Sequence, residues 1–192
     1  MSTKTKVNLG PSAGPANRAA LIKAAREVFA ESGLGAPLSS VARRAGVGQG
    51  SLYRHFPDRI ALAVAVFDEN IGTLEELAAR HDTTLADLFD SVAEQVIAST
   101  AMIDLIVSER DERAEHLDTR MRAVATALLA RDQASGRFGH HVETEDVMLA
   151  ISMMALMLAR APETERAAAA GRARAIFRAA FSPVSQPGVA FS

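Results

Sequence analysis

Cysteine is missing from all 192 residues, which excludes disulfides, thiolate metal sites and cysteine nucleophiles. Tryptophan is also missing, tyrosine occurs once and aromatics make up 5%. Any core must therefore be built mainly from Ala, Leu, Val, Ile and Met. The longest apolar run lies between Asp146 and Arg160, well short of the roughly 20 residues that a membrane span requires, and reads as a buried helix. The first twenty residues contain no apolar segment, so no secretory leader is expected. No stretch alternates with period two, so no strand is expected. No G-x-S-x-G, P-loop, H-E-x-x-H or extended G-x-G-x-x-G unit occurs. These absences describe a soluble, cytoplasmic chain that is not an enzyme and calls for no cofactor, metal or membrane.

Hydrophobic residues reach 48% and charged residues 23%, a globular balance. The net charge is only −2, but it is segregated. Residues 1–60 hold nine Lys/Arg against three Asp/Glu, and the remainder holds twelve against twenty. A basic end on an acidic body suits a protein that presents one end to a polyanion.

Helical periodicity organises nearly the whole chain. Residues 1–16 have none and read as a flexible basic arm. A helix is expected from about Asn17 to Ser32, with Leu21, Ala24, Ala25, Val28 and Phe29 inward and Gly33 closing it. A second follows over about Leu38–Ala45, and Gly46 turns the chain. A third spans about Gln49–Phe56, Pro57 stops it, and Asp58 caps a fourth that reaches about Arg80. Further helices are expected over Leu85–Met102 behind a Thr84 cap, Ile103–His116, Leu117–Ala134, Thr144–Arg160 and Pro162–Phe181. The expectation is an all-α chain of about nine helices. A DNA-binding unit would occupy 17–62, a larger helical unit 63–182, and a loose tail 183–192.

Three short helices with a glycine turn between the second and third form a helix-turn-helix. Val41, Ala42 and Ala45 can pack the second helix on the third, and Val47 plugs the turn. Gly48 and Gly50 leave the start of the third helix nearly bare. Each costs roughly 1 kcal/mol in helix propensity relative to Ala, which makes sense if another surface must approach the backbone there. Gln49, Ser51, Tyr53, Arg54 and His55 supply donors and acceptors outward. Gln can bridge adenine, Arg can bridge guanine, and Ser and Tyr can reach phosphates. Arg43 and Arg44 add charge at the end of the second helix and join the candidate DNA-contacting set.

The stretch VARRAGVGQGSLYRHFPDRIAL resembles the DNA-binding signature of the TetR family of transcriptional regulators. The resemblance covers about residues 18–66, and it implies that the third helix is the recognition helix. Gln49, Gly50, Ser51, Tyr53, Arg54 and His55 match its DNA-contacting positions, and Arg59 matches a phosphate-gripping one. Pro37 departs from the Thr that commonly caps the second helix, and Ser51 replaces the usual Thr. The family pattern also implies a homodimeric repressor on a palindromic double-stranded operator, with a body that binds a small apolar effector. On that pattern the dimer interface would use Met148, Ile151, Ala155 and Leu158 of one helix and Ala173, Ile176, Phe177 and Ala180 of the next. Phe89, Met102, Met121, Val124 and Met153 are the candidate pocket residues. The alternative is a helix-turn-helix scaffold without small-molecule response. Glu112 and His116, one helical turn apart, read as a solvated face rather than a metal pair.

Overall fold

Three glycines punctuate the fold. Gly33, Gly46 and Gly136 adopt φ of 68°, 68° and 71°, a left-handed conformation that side chains resist, and each follows a helix end. The computed structural model describes residues 14–33, 35–109 and 112–183, and over 99–109 it describes the backbone. Eight α-helices run in order: α1 Gly14–Ser32, α2 Leu38–Arg44, α3 Gln49–His55, α4 Arg59–Ala78, α5 Leu85–Glu109, α6 Glu115–Ala134, α7 Thr144–Arg160 and α8 Glu163–Phe181. A 3₁₀ turn, Glu112–Ala114, lies between α5 and α6. No strand occurs among the described residues, and none of the described helices is long and apolar enough to cross a membrane.

Two boundaries differ from the sequence reading. The first helix begins at Gly14 rather than Asn17, because Pro15 presets a helical φ and needs no donor in the first turn. Ile103–His116 is not a separate helix. Nothing between Leu85 and Glu109 is glycine or proline, so α5 continues through Met102 and the chain turns only beyond it. The expected arm and tail fall largely on residues 1–13 and 184–192, outside the described residues.

The helices enclose two main cores. Leu21, Ile22, Phe29, Val41, Leu52, Phe56, Leu62 and Val66 belong to the first, the head. Leu74, Leu88, Phe89, Leu128, Val147, Met154 and Leu158 belong to the second, the body. Leu52 is fully buried, and truncating such a Leu to Ala typically costs about 2–5 kcal/mol. One helix serves both cores. Val66 of α4 packs into the head and Leu74 into the body, while Phe67 touches both.

The ends of α4 are fixed by side chains. Asp58 accepts from Ala61 N at 2.7 Å, as expected of its cap, and Arg113 of the 3₁₀ turn donates to the same carboxylate at 3.0 Å. At the other end Arg131 donates to the carbonyls of Ala78, Arg80 and Thr83 at 3.1, 2.7 and 3.1 Å, satisfying groups that a helix terminus leaves open. The buried Asp132 is likewise answered. It accepts from Leu85 N at the start of α5 at 2.9 Å and from Arg137 Nε at 2.8 Å.

Candidate nucleic-acid interface

The turn that carries the site is closed by backbone. Gly46 N donates to the Arg43 carbonyl at 3.2 Å, and Val47 N to the Ala42 carbonyl at 3.0 Å. Pro37 stands at the N-cap of α2 without a side-chain hydrogen bond, so the cap that Thr would supply is missing. Leu52 is the buried anchor of α3, and the opposite face is open: Gln49, Gly50, Tyr53 and Arg54 are exposed, while Ser51 and His55 are half-buried. Tyr53, at 51% exposure, is a large aromatic left in solvent. Arg54 Nε donates back to the Gly50 carbonyl at 3.2 Å, which lays its stem along the helix.

Gly48 and Gly50 have no positive φ, and a Cβ at either would meet nothing within 4 Å. The chain's own packing therefore does not require glycine at these two positions.

The flanking arginines differ in availability. Arg43 is exposed. Arg44 is clamped by α1: its two terminal nitrogens donate to the Glu31 carboxylate at 3.0 and 2.7 Å, and one also to Glu27 at 3.2 Å. That guanidinium holds the Glu31 carboxyl below its ordinary range, chiefly through the hydrogen bond, and the carboxylates raise Arg44 in return. Arg59 donates to the Ala36 carbonyl at 2.9 Å and lies over the Phe29 ring, 5.7 Å from its centroid. In the free protein both Arg44 and Arg59 therefore tie helices of the head together. Arg18, which the spacing did not single out, is exposed with its guanidinium 5.6 Å from the centroid of Phe56, at the end of α3. It stands one helical turn before the buried Leu21 and Ile22, on their side of α1, so helical register alone carried no signal for it.

Two concavities of the body bear on ligand binding. The larger, about 810 Å³, lies between α5, α6 and α8 and is rimmed by Arg137, Arg174 and Arg178. Arg174 pairs with Asp90 and Arg137 with Asp132, so much of that charge is already answered. The smaller, about 300 Å³, is walled by α4, α5, α6 and α7, with Phe67, Ile71, Val96, Leu117, Met121 and Ile151 among its lining. Because α4 forms one wall, the smaller cavity is joined to the head.

The candidate pocket and interface residues are redistributed. Met121 lines the smaller cavity, as do Met148, Ile151 and Ala155, which the family pattern assigns to a dimer interface. Phe89 lines the larger one, Val124 is buried core, and Met153 is 56% exposed on the outer side of α7. The Met102 side chain lies outside the described residues. Leu158 and Ala173 are buried within this chain, and Phe177 packs on Phe89 with centroids 5.4 Å apart. Ile176 and Ala180 are exposed. α7 is apolar on most sides, so periodicity alone could not say which stripe faces inward. The outward one is Leu149, Met153 and Met157 at 59%, 56% and 39% exposure, and Ile176 of α8 is exposed at 65%. His116 pairs with Asp68 at 3.0 Å, and no metal-like cluster occurs among the described residues.

Comparison with known proteins follows these divisions. The family described as bacterial regulatory proteins, tetR family, matches residues 21–66. A TetR transcriptional regulator from Streptomyces coelicolor is similar in structure, with 26% identity and a TM-score of 0.66 over 88% of this chain and 99% of that one. A TetR regulatory protein from Mycobacterium vanbaalenii has 24% identity and a TM-score of 0.60, covering 89% and 98%. Reduced NemR of E. coli shares the fold at 17% identity and a TM-score of 0.62, covering 88% and 100%. A search of curated protein sequences finds no match.

Proposed function

We propose that the chain, whose residues 21–66 match the tetR family of bacterial regulatory proteins, is a ligand-responsive repressor of the TetR type that reads a palindromic operator as a homodimer. The observation that carries the DNA-contacting part is the face of α3. Gln49, Gly50, Tyr53 and Arg54 stand open on a helix anchored by Leu52, and the adjoining glycines serve no packing need of the chain itself. Gln49 and Arg54 are the base-reading candidates. Ser51, Tyr53, His55, Arg43 and Arg18 are placed for backbone phosphates. Arg44 and Arg59 act first by holding α2 and α4 to α1.

The dimer reading rests on the outward stripe. Leu149, Met153 and Met157 recur at four-residue intervals on α7, and contiguous exposed apolar surface marks an interaction site. Two heads related by a two-fold axis would read half-sites about 34–36 Å apart. Effector response rests on the 300 Å³ cavity, whose wall includes α4. A ligand that binds one setting of α4 better than another shifts the population of head orientations. Selection of bound duplexes from a random pool tests the reading. The expected result is a palindromic consensus, whereas enrichment of single asymmetric sites, or of none, would overturn it.

A further inference from the structure

Asn70 lies on α4 in the wall of the smaller cavity and is 8% exposed. Its Oδ1 accepts from Arg26 Nη2 on α1 at 2.9 Å, and its backbone carbonyl accepts from Gln95 Nε2 on α5 at 3.2 Å. A guanidinium donates and never accepts, so Arg26 fixes the amide: oxygen toward the arginine, NH2 away from it. That NH2 group makes no hydrogen bond among the described residues. It is not sealed either, since no fully buried side-chain nitrogen or oxygen there lacks a partner. With Asn70 in the cavity lining, that unspent donor is available to an occupant. Gln95, whose own NH2 is spent on Asn70, keeps its side-chain oxygen as an acceptor beside it.

Among the described residues the remaining lining is almost wholly apolar and holds no Lys, Arg or His. An anion entering it would lose hydration without gaining a countercharge. The one ionisable residue among the described lining, Asp118, is exposed and has Arg122 at 3.6 Å. A volume of about 300 Å³ is at the small end of ligand sites, which run to roughly 1,000 Å³.

We propose that Asn70 reads a hydrogen-bond acceptor on the cavity's occupant, and that this occupant is an uncharged, mainly apolar molecule of one or two rings bearing a carbonyl-type oxygen. The inference rests on reading this cavity as the effector site. It also gives occupancy a short route to DNA. Arg26 belongs to α1 of the head, donates to the Val66 carbonyl at 3.4 Å and pairs with Glu69 at 3.2 Å. A shift of Asn70 acts on the head through that one guanidinium.

Calorimetry with 2-acetylnaphthalene, 2-ethylnaphthalene and 2-naphthoate tests this. The ketone should bind about tenfold more tightly than the hydrocarbon, the worth of one buried hydrogen bond, and the carboxylate should not bind measurably. Asn70→Asp keeps an oxygen for Arg26 but has no NH2, so the ketone's advantage should vanish. If that variant does not fold, Asn70→Leu should remove the advantage likewise. Ala155→Phe, which fills the cavity, should abolish binding of both neutral compounds. The proposal is overturned if ketone and hydrocarbon bind alike to the natural chain, if the advantage survives at Asn70→Asp, if the carboxylate competes equally, or if none of the three binds. Asn70-dependent binding that leaves the Kd for duplex DNA unchanged would support the Asn70 site while sinking the effector reading.

Discussion

Head and body treat their surfaces in opposite ways. The head buries its apolar residues against one another and turns a polar, glycine-softened face of α3 outward. The body has apolar residues to spare. Some close its core, some line a cavity, and Leu149, Met153, Met157 and Ile176 remain outside. In the head, what is exposed follows from a few local rules of turn and cap. In the body, function depends on which apolar stripe faces where, and only the packing of distant helices decides that. α4 belongs to both cores, which makes it the element through which one region can act on the other.

The contrast is broken most severely at the body's outer stripe. Met153→Glu places a charge in the middle of it without touching the core, so the chain should stay folded yet sediment as a monomer. A dimer that survives this change would place the interface elsewhere. A smaller effect is expected at Gly50. Gly50→Ala has ordinary backbone geometry and open space, so it should stabilise the head by about 0.5–1 kcal/mol. The same methyl should weaken DNA binding if the backbone lies against the groove. Thermal melting and DNA titration on one preparation would show whether stability and affinity move in opposite directions.

These cases also mark how far the sequence was legible. Gly46, Leu52 and the Asp58 cap could be placed from local pattern, because each answers a local requirement: a left-handed turn, an inward helical register, an open helix amide. The outward face of α3 followed from the same register. Arg44 and Arg59 did not, since their carboxylate and carbonyl partners sit on other elements. The exposure of Met153 and the burial of Leu158 were not legible on α7, where apolar residues recur on most faces. Asn70 went unnoticed because only its partners Arg26 and Gln95, 44 and 25 positions away, make it unusual.

The smallest effect concerns pH. Arg44 lowers the Glu31 carboxyl and Arg120 lowers Glu75, each chiefly by hydrogen bonding. A carboxyl depressed on folding contributes stability above its unfolded value, here 4.5, and loses it as pH falls through the lower folded value. Denaturation midpoints should therefore decline below about pH 4.5, and Glu31→Gln should flatten only the head's share of that decline. An unchanged profile would show that the clamp on Arg44 contributes nothing measurable.

The central claim, that the open face of α3 engages duplex DNA, is tested most directly by the salt dependence of Kd for a selected duplex. Log affinity should fall linearly with log salt at a slope of about −0.9 per phosphate neutralised. Arg54→Ala should lose roughly 1–3 kcal/mol of affinity if it reads a base, at an unchanged melting temperature. Affinity indifferent to salt, or unaffected by Arg54→Ala and Tyr53→Ala alike, would contradict the account.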